Sequence, residues 1–132
     1  MKKHYLIPLF IVMISIMIIS CGGKKVMKTA PSFEPYKFEA SQYEPKVDNF
    51  LVILDTSSSM GDKYGQKEKS KIAKDFLSAM NQTLPEWSYN AALMTFGHDA
   101  HLPDKSAMLV YGPAKYSTSG FESALNATKG PS

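Results

Sequence analysis

Along the chain, apolar positions fall into blocks whose spacing changes from one block to the next. Leu6 to Ile19 is an almost unbroken apolar run, preceded by Lys2, Lys3 and His4. From Gly22 to Lys46 no period is sustained, and Pro31, Pro35 and Pro45 interrupt any helix. Phe50 to Leu54 is continuous again, as expected for a central strand covered on both faces. Between Lys67 and Leu84, the residues Ile72, Ala73, Phe76, Leu77, Met80 and Leu84 recur at three- and four-residue spacing, with Lys69, Lys71, Lys74 and Asp75 opposite. That pattern predicts an amphipathic helix ending before Pro85, with Phe76 and Met80 in the core. Tyr89 to Gly97 reads as a second buried strand and Ala107 to Gly112 as an antiparallel edge partner. Ser119 to Thr128 reads as a short helix presenting Phe121, Ala124 and Leu125 on one face. Strand, helix, strand, strand predicts an α/β domain from Val47 onward, built on one core.

The first apolar run is shorter than the roughly 20 residues of a membrane-spanning helix, and a charged start followed by an apolar stretch is the order of a secretory signal. It ends at Ile18-Ile19-Ser20-Cys21. That tetrapeptide resembles a bacterial lipobox, with Ile18 in place of the usual leucine. The resemblance implies that residues 1–20 are removed and that Cys21 is acylated. Cys21 is the chain's single cysteine, so no internal disulfide is available to it. Gly22, and not an aspartate, follows the cysteine, and this resemblance to the sorting rule of Gram-negative lipoproteins favours an outer-membrane anchor facing the periplasm over an inner-membrane one. Residues 21–46 then read as the lipidated cysteine and an extended tether. Phe33, Tyr36, Phe38 and Tyr43 are too many aromatics for a fully solvated linker, so part of it is expected to lie against the domain.

Charge narrows the partners. The formal net charge is +3, and Lys2 and Lys3 belong to the signal, so the remainder is close to neutral and carries no basic patch of the kind that nucleic acid requires.

The chemistry concentrates where the first strand ends, in Asp55-Thr56-Ser57-Ser58-Ser59-Met60-Gly61. Asp-x-Ser-x-Ser offers one carboxylate and two spaced hydroxyls, which are hard oxygen ligands of the kind Mg²⁺ or Mn²⁺ takes. With the strand before it and the helix after it, the segment resembles the metal-ion-dependent adhesion site of von Willebrand factor A domains. Asp55, Ser57 and Ser59 match that motif. The resemblance implies a Rossmann-like fold with a doubly wound, mostly parallel sheet, of which residues 47–132 would be an incomplete, truncated copy. It also implies a third metal position in a small-residue loop after the short helix, and Ser132 in Lys129-Gly130-Pro131-Ser132 is the candidate. Thr118 and Ser119, which precede that helix, rank second. The expected function is adhesion: a bound cation accepting a carboxylate from a protein partner, with no catalysis. From the lipobox to Pro131-Ser132 the chain is also similar to the front of lipoproteins that continue into a peptidoglycan-binding domain like that of outer-membrane protein A. No residue here corresponds to that second domain, so peptidoglycan is not among the expected partners of these residues.

Other readings compete. His98, Asp99, His101 and Asp104 could be imagined as a transition-metal site, but with no helix to align them a solvated loop is simpler. Val52-Ile53-Leu54-Asp55-Thr56-Ser57 is similar to the aspartic-protease signature, except that Ser57 replaces the required glycine and a second aspartate would have to come from a dimer. A phosphatase of the haloacid-dehalogenase kind needs Asp-x-Asp, which Ser57 also breaks. The remaining alternative is a structural envelope lipoprotein fragment with a non-functional metal site; taken by itself, Asp55 can also be read as a carboxylate that caps the start of the helix that follows.

Overall fold

The computed structural model describes residues 28–37, 39–97 and 107–131. Cys21, the apolar run before it, His98 to Asp104 and Ser132 lie outside the described residues.

Strand β1 (Asn49–Asp55) pairs in parallel with β4 (Asn90–Phe96), and β4 pairs antiparallel with β5 (Ala107–Lys115), giving the order β1-β4-β5. Between β1 and β4 come a 3-10 turn (Ser58–Gly61), a small hairpin of β2 (Lys63–Tyr64) and β3 (Lys67–Glu68), and helix α1 (Lys69–Thr83). Helix α2 (Thr118–Ala127) follows β5. Among the described residues no helix is long and apolar enough to cross a membrane.

Alternation within the strands decides which face is covered. Phe50, Val52 and Leu54 of β1 and Ala91 and Leu93 of β4 point to one side, where Leu77 of α1 and Phe121 and Leu125 of α2 close over them. Leu93 and Phe121 are wholly buried. Each such side chain contributes about 1.5–3 kcal/mol relative to its exposed state. At the end of the sheet where β1 starts, rings pack edge to face: Phe50 lies 5.4 Å from both Tyr89 and Tyr116, and Tyr111 lies 5.7 Å from Phe121.

The other side of the sheet is apolar and open. Leu51 and Ile53 are 51% and 60% exposed, and Phe96 and Leu109 stand on the same side. A shallow groove of about 660 Å³ runs there past Leu51, Ala92, Met94 and Leu109.

The expected doubly wound, mostly parallel sheet is therefore corrected. The sheet is a small mixed one of three strands, with one parallel and one antiparallel pair, and both helices pack on a single face. A continuous apolar run such as Phe50 to Leu54 is compatible with burial on both faces, but the run does not by itself supply a second covering layer. Phe76 is corrected too. It is 49% exposed and meets Phe33 from the segment before β1, with the sheet core on the other side of α1. Met80 is partly buried and packs against the core. The β2–β3 hairpin, which the sequence pattern did not predict, turns at Gly65 with φ +66° and bridges the 3-10 turn to α1.

Candidate functional site

The parallel strand β1 delivers Asp55 to the carboxyl end of the sheet, the edge at which open α/β sheets place their ligands. The loop after it is held firmly. Thr56 donates from both its backbone N–H and its Oγ1 to the carbonyl of Phe96, at 2.8 and 2.7 Å, which ties the loop to the last residue of β4. Thr56 is 2% exposed. Next to that anchor the backbone of Ser57 passes so close over Gly97 that a Cβ there would stand 2.7–2.8 Å from its N, Cα and Cβ. Gly97 also has φ +92°, so glycine is required twice over.

Within the loop, Asp55 Oδ1 accepts from the Ser57 N–H at 2.8 Å, an Asx-type turn that aims the next residues back across the strand end. Ser57 Oγ and Ser59 Oγ then come within 3.2 Å of each other. Two neighbouring ligands of an octahedral Mg²⁺ site, each about 2.1 Å from the metal, stand about 3.0 Å apart. The hydroxyl pair therefore has nearly the spacing that such an ion needs, beside a carboxylate, and the residues present fit a hard divalent cation.

The surroundings set the electrostatics. The Met60 N–H donates to the Ser57 carbonyl at 2.9 Å, which closes the turn. Lys69, the first residue of α1, donates from Nζ to the Ser59 carbonyl at 3.3 Å and to Asp62 Oδ2 at 3.0 Å, and from its N–H to the Asp62 carbonyl at 3.0 Å. Its ammonium opposes a bound cation, Asp62 offsets it, and the half-exposed pair is weakened by solvent.

The remaining sequence candidates separate. Ser132 lies outside the described residues, but Pro131 packs beside Gly61, with Cβ 3.7 Å from the position a Cβ on that glycine would take. The described chain thus runs up to the loop. Lys74 contributes to that path by donating to the Thr128 carbonyl at 2.7 Å, just past α2. Burial lowers the Lys74 pKa from its ordinary value. Thr118 and Ser119 sit at the opposite end of the domain, where α2 starts beside the end of α1: the Thr118 carbonyl accepts from Asn81, and its N–H donates to Glu86 at 2.7 Å. The second-ranked pair is therefore not brought to Asp55. His98, Asp99, His101 and Asp104 fall outside the described residues, and among the described residues no group of three or more His, Cys, Asp or Glu side chains gathers.

Gly97 and Thr56 are the site residues that pattern reading did not single out. The signal for Gly97 was a glycine directly after a buried strand; what it makes room for becomes visible only when Ser57 lies over it.

Comparisons with known protein families, with curated proteins and with solved structures found no match.

Proposed function

We propose that this chain is a lipid-anchored, envelope-facing binding module whose Asp55, Ser57 and Ser59 loop takes Mg²⁺ or Mn²⁺ and through it engages a carboxylate of a protein partner. The observation that carries the reading is the 3.2 Å approach of the Ser57 and Ser59 hydroxyls beside Asp55, at the carboxyl end of a parallel strand. The resemblance to the adhesion-site motif supports the loop chemistry. The family's doubly wound sheet is no part of the proposal.

In this reading Asp55, whose Oδ1 accepts from the Ser57 N–H, would hold the metal directly or through water, and the Ser57 and Ser59 hydroxyls would be neutral ligands. Ser132 stands next to Pro131 in sequence and is the candidate for a further oxygen. A metal with a single anionic protein ligand keeps enough positive charge to take one more oxygen from outside, which is what gripping a carboxylate requires. Cys21, behind its lipobox-like tetrapeptide, would supply the membrane anchor, and Gly22 favours the outer membrane facing the periplasm.

The test is Mn²⁺ binding by the full chain, followed by calorimetry or by the electron paramagnetic resonance of the free ion. Asp55→Ala should weaken binding by more than about tenfold, because the sole charged ligand is lost. A wild-type chain that binds neither Mn²⁺ nor Mg²⁺ overturns the adhesion reading in favour of a structural lipoprotein in which Asp55 only shapes its turn.

A further inference from the structure

The segment before β1 touches the β2–β3 hairpin once and α1 twice, in order along the helix. Near the start of α1, the Lys28 carbonyl crowds Gly65 at the tip of the β2–β3 hairpin, and Lys28 Nζ stands 5.3 Å from the centre of the Tyr64 ring. Midway, Phe33 packs edge to face on Phe76 with ring centres 5.3 Å apart. At the end of the helix, the Tyr36 N–H donates to Thr83 Oγ1 at 2.9 Å. A shallow apolar groove lined by Thr29, Pro31, Phe33, Tyr64, Ile72 and Phe76 follows the same path. The described part of this segment thus begins at the end where α1 starts, and this is the end that carries Asp55, Ser57 and Ser59. Lys69, the first residue of α1, is bonded to Ser59 and Asp62.

We propose that this strap orients the domain on its membrane, with the cation loop turned toward the bilayer, so that the partner whose carboxylate the loop meets is a protein of that same membrane. The inference rests on the reading of Cys21 as the lipid anchor and of the loop as a cation site. Its quantitative basis is reach. The stretch from Cys21 to Lys28 spans at most about 25 Å even when fully extended, whereas a tether free as far as Asn49 would span about 90 Å and leave the domain's direction unset. With the strap docked, the far end of α1 is a further 22 Å or so from the anchor, because a helix of 15 residues rises about 1.5 Å per residue. Lys28 and Lys63 place positive charge on the side that would meet anionic headgroups, while Lys67 is paired with Asp75, and Asp62 and Glu68 lie on the same side.

The lipidated full chain, reconstituted in vesicles of phosphatidylethanolamine and phosphatidylglycerol, provides the test. Once Cys21 carries lipid, Gln66→Cys at the hairpin tip or Ser88→Cys at the opposite end offers the single free thiol for a fluorophore; both positions are exposed. Lipids bearing a headgroup quencher should quench the Gln66 label severalfold more than the Ser88 label. The ratio should fall toward one in Gly65→Ala, where the added Cβ meets the Lys28 carbonyl, and in Phe33→Ala, which leaves the hairpin intact. Equal quenching at the two positions in the otherwise wild-type chain overturns the orientation and leaves the cation reading standing. A mass showing no lipid on Cys21 overturns the anchor and the orientation together. Mn²⁺-dependent binding of the unlipidated Cys21→Ser chain to the same vesicles would make a headgroup phosphate the loop's ligand and overturn the protein partner.

Discussion

The two ends of the three-stranded sheet are built on opposite plans. Where β1 starts, Asn81 is wholly buried, and among the described residues no buried side-chain N or O lacks a hydrogen-bond partner. Asn81 Nδ2 donates to the Thr118 carbonyl at 3.0 Å and to Glu122 Oε2 at 2.9 Å, while its Oδ1 accepts from the Tyr116 hydroxyl at 2.7 Å. Ser78 donates to the other oxygen of Glu122 at 2.8 Å, and the rings of Tyr89, Tyr116 and Phe121 pack edge to face beside this network. Where β1 ends, Ser58 and Ser59 are exposed, and the Ser57 and Ser59 hydroxyls bond to each other. One end has spent its polar groups on joining α1 to α2. The other holds its oxygens in a fixed arrangement at the surface, at the expense of local burial. A satisfied internal network specifies a fold, whereas convergent surface oxygens are available to a ligand.

The contrast can be broken most severely at the closed end. Phe121→Ala should cost about 3–5 kcal/mol in urea unfolding, because it empties a site from which Phe50, Tyr111 and Tyr116 rings would each lose a partner. Asn81→Ala should cost about 2–4 kcal/mol by the same measurement, since buried Tyr116 and the Thr118 carbonyl lose a partner while the cation loop is untouched. If cation affinity fell with it, the two ends would not be independent.

At the open end, Gly97→Ala sharpens the comparison. The substitution removes no candidate ligand, yet a Cβ at φ +92° has no room under Ser57. We expect about 1–3 kcal/mol of destabilisation and a loss of Mn²⁺ binding comparable to that of Asp55→Ala. Normal binding by this variant would show that the loop's geometry is not set by its contact with β4.

The smallest effect near neutrality is the response to alkali. Burial raises the pKa values of Tyr116 and Tyr89 above the ordinary tyrosine value. For Tyr116, the neighbouring Tyr89, Glu86 and Tyr111 push the same way, and a hydrogen bond involving Thr118 opposes them. Below about pH 10 both tyrosines are neutral folded or unfolded, and their contribution is fully present. As the pH rises past that value the unfolded chain loses these protons first, so stability falls until the folded-state pKa is passed. Urea midpoints taken from about pH 9 to about pH 11 should therefore decline, and less steeply in Tyr116→Phe, which lacks one of the two groups.

Much of the architecture was legible in the residues because it follows from local rules. The spacing of Ile72, Leu77 and Met80 set α1, Pro85 marked its end, and Asn90–Phe96 and Ala107–Lys115 lie close to where their apolar runs placed them. Phe76 was misread because a helix period shows that a residue is on an apolar face, but not whether the sheet or an earlier segment of chain covers that face; here Phe33 does. The likeness to a doubly wound sheet failed for a related reason. Leu51 and Ile53 look like the second buried face of a central strand, and no local property distinguishes a covered leucine from an open one.

The candidate site divides in the same way. The sequence by itself determined the ligand chemistry of Asp55, Ser57 and Ser59, because hardness and charge belong to the side chains. It also determined that a strand would deliver them to a loop, because alternation and turn propensity act over a few residues. Only the tertiary structure decided that Ser57 lies on Gly97, that Thr56 is pinned to Phe96, that Pro131 comes up beside Gly61, and that Thr118 and Ser119 go to the far end. Those positions are fixed by strand pairing and helix packing between residues about 40 or more apart in several cases, and such contacts form only when the whole core closes.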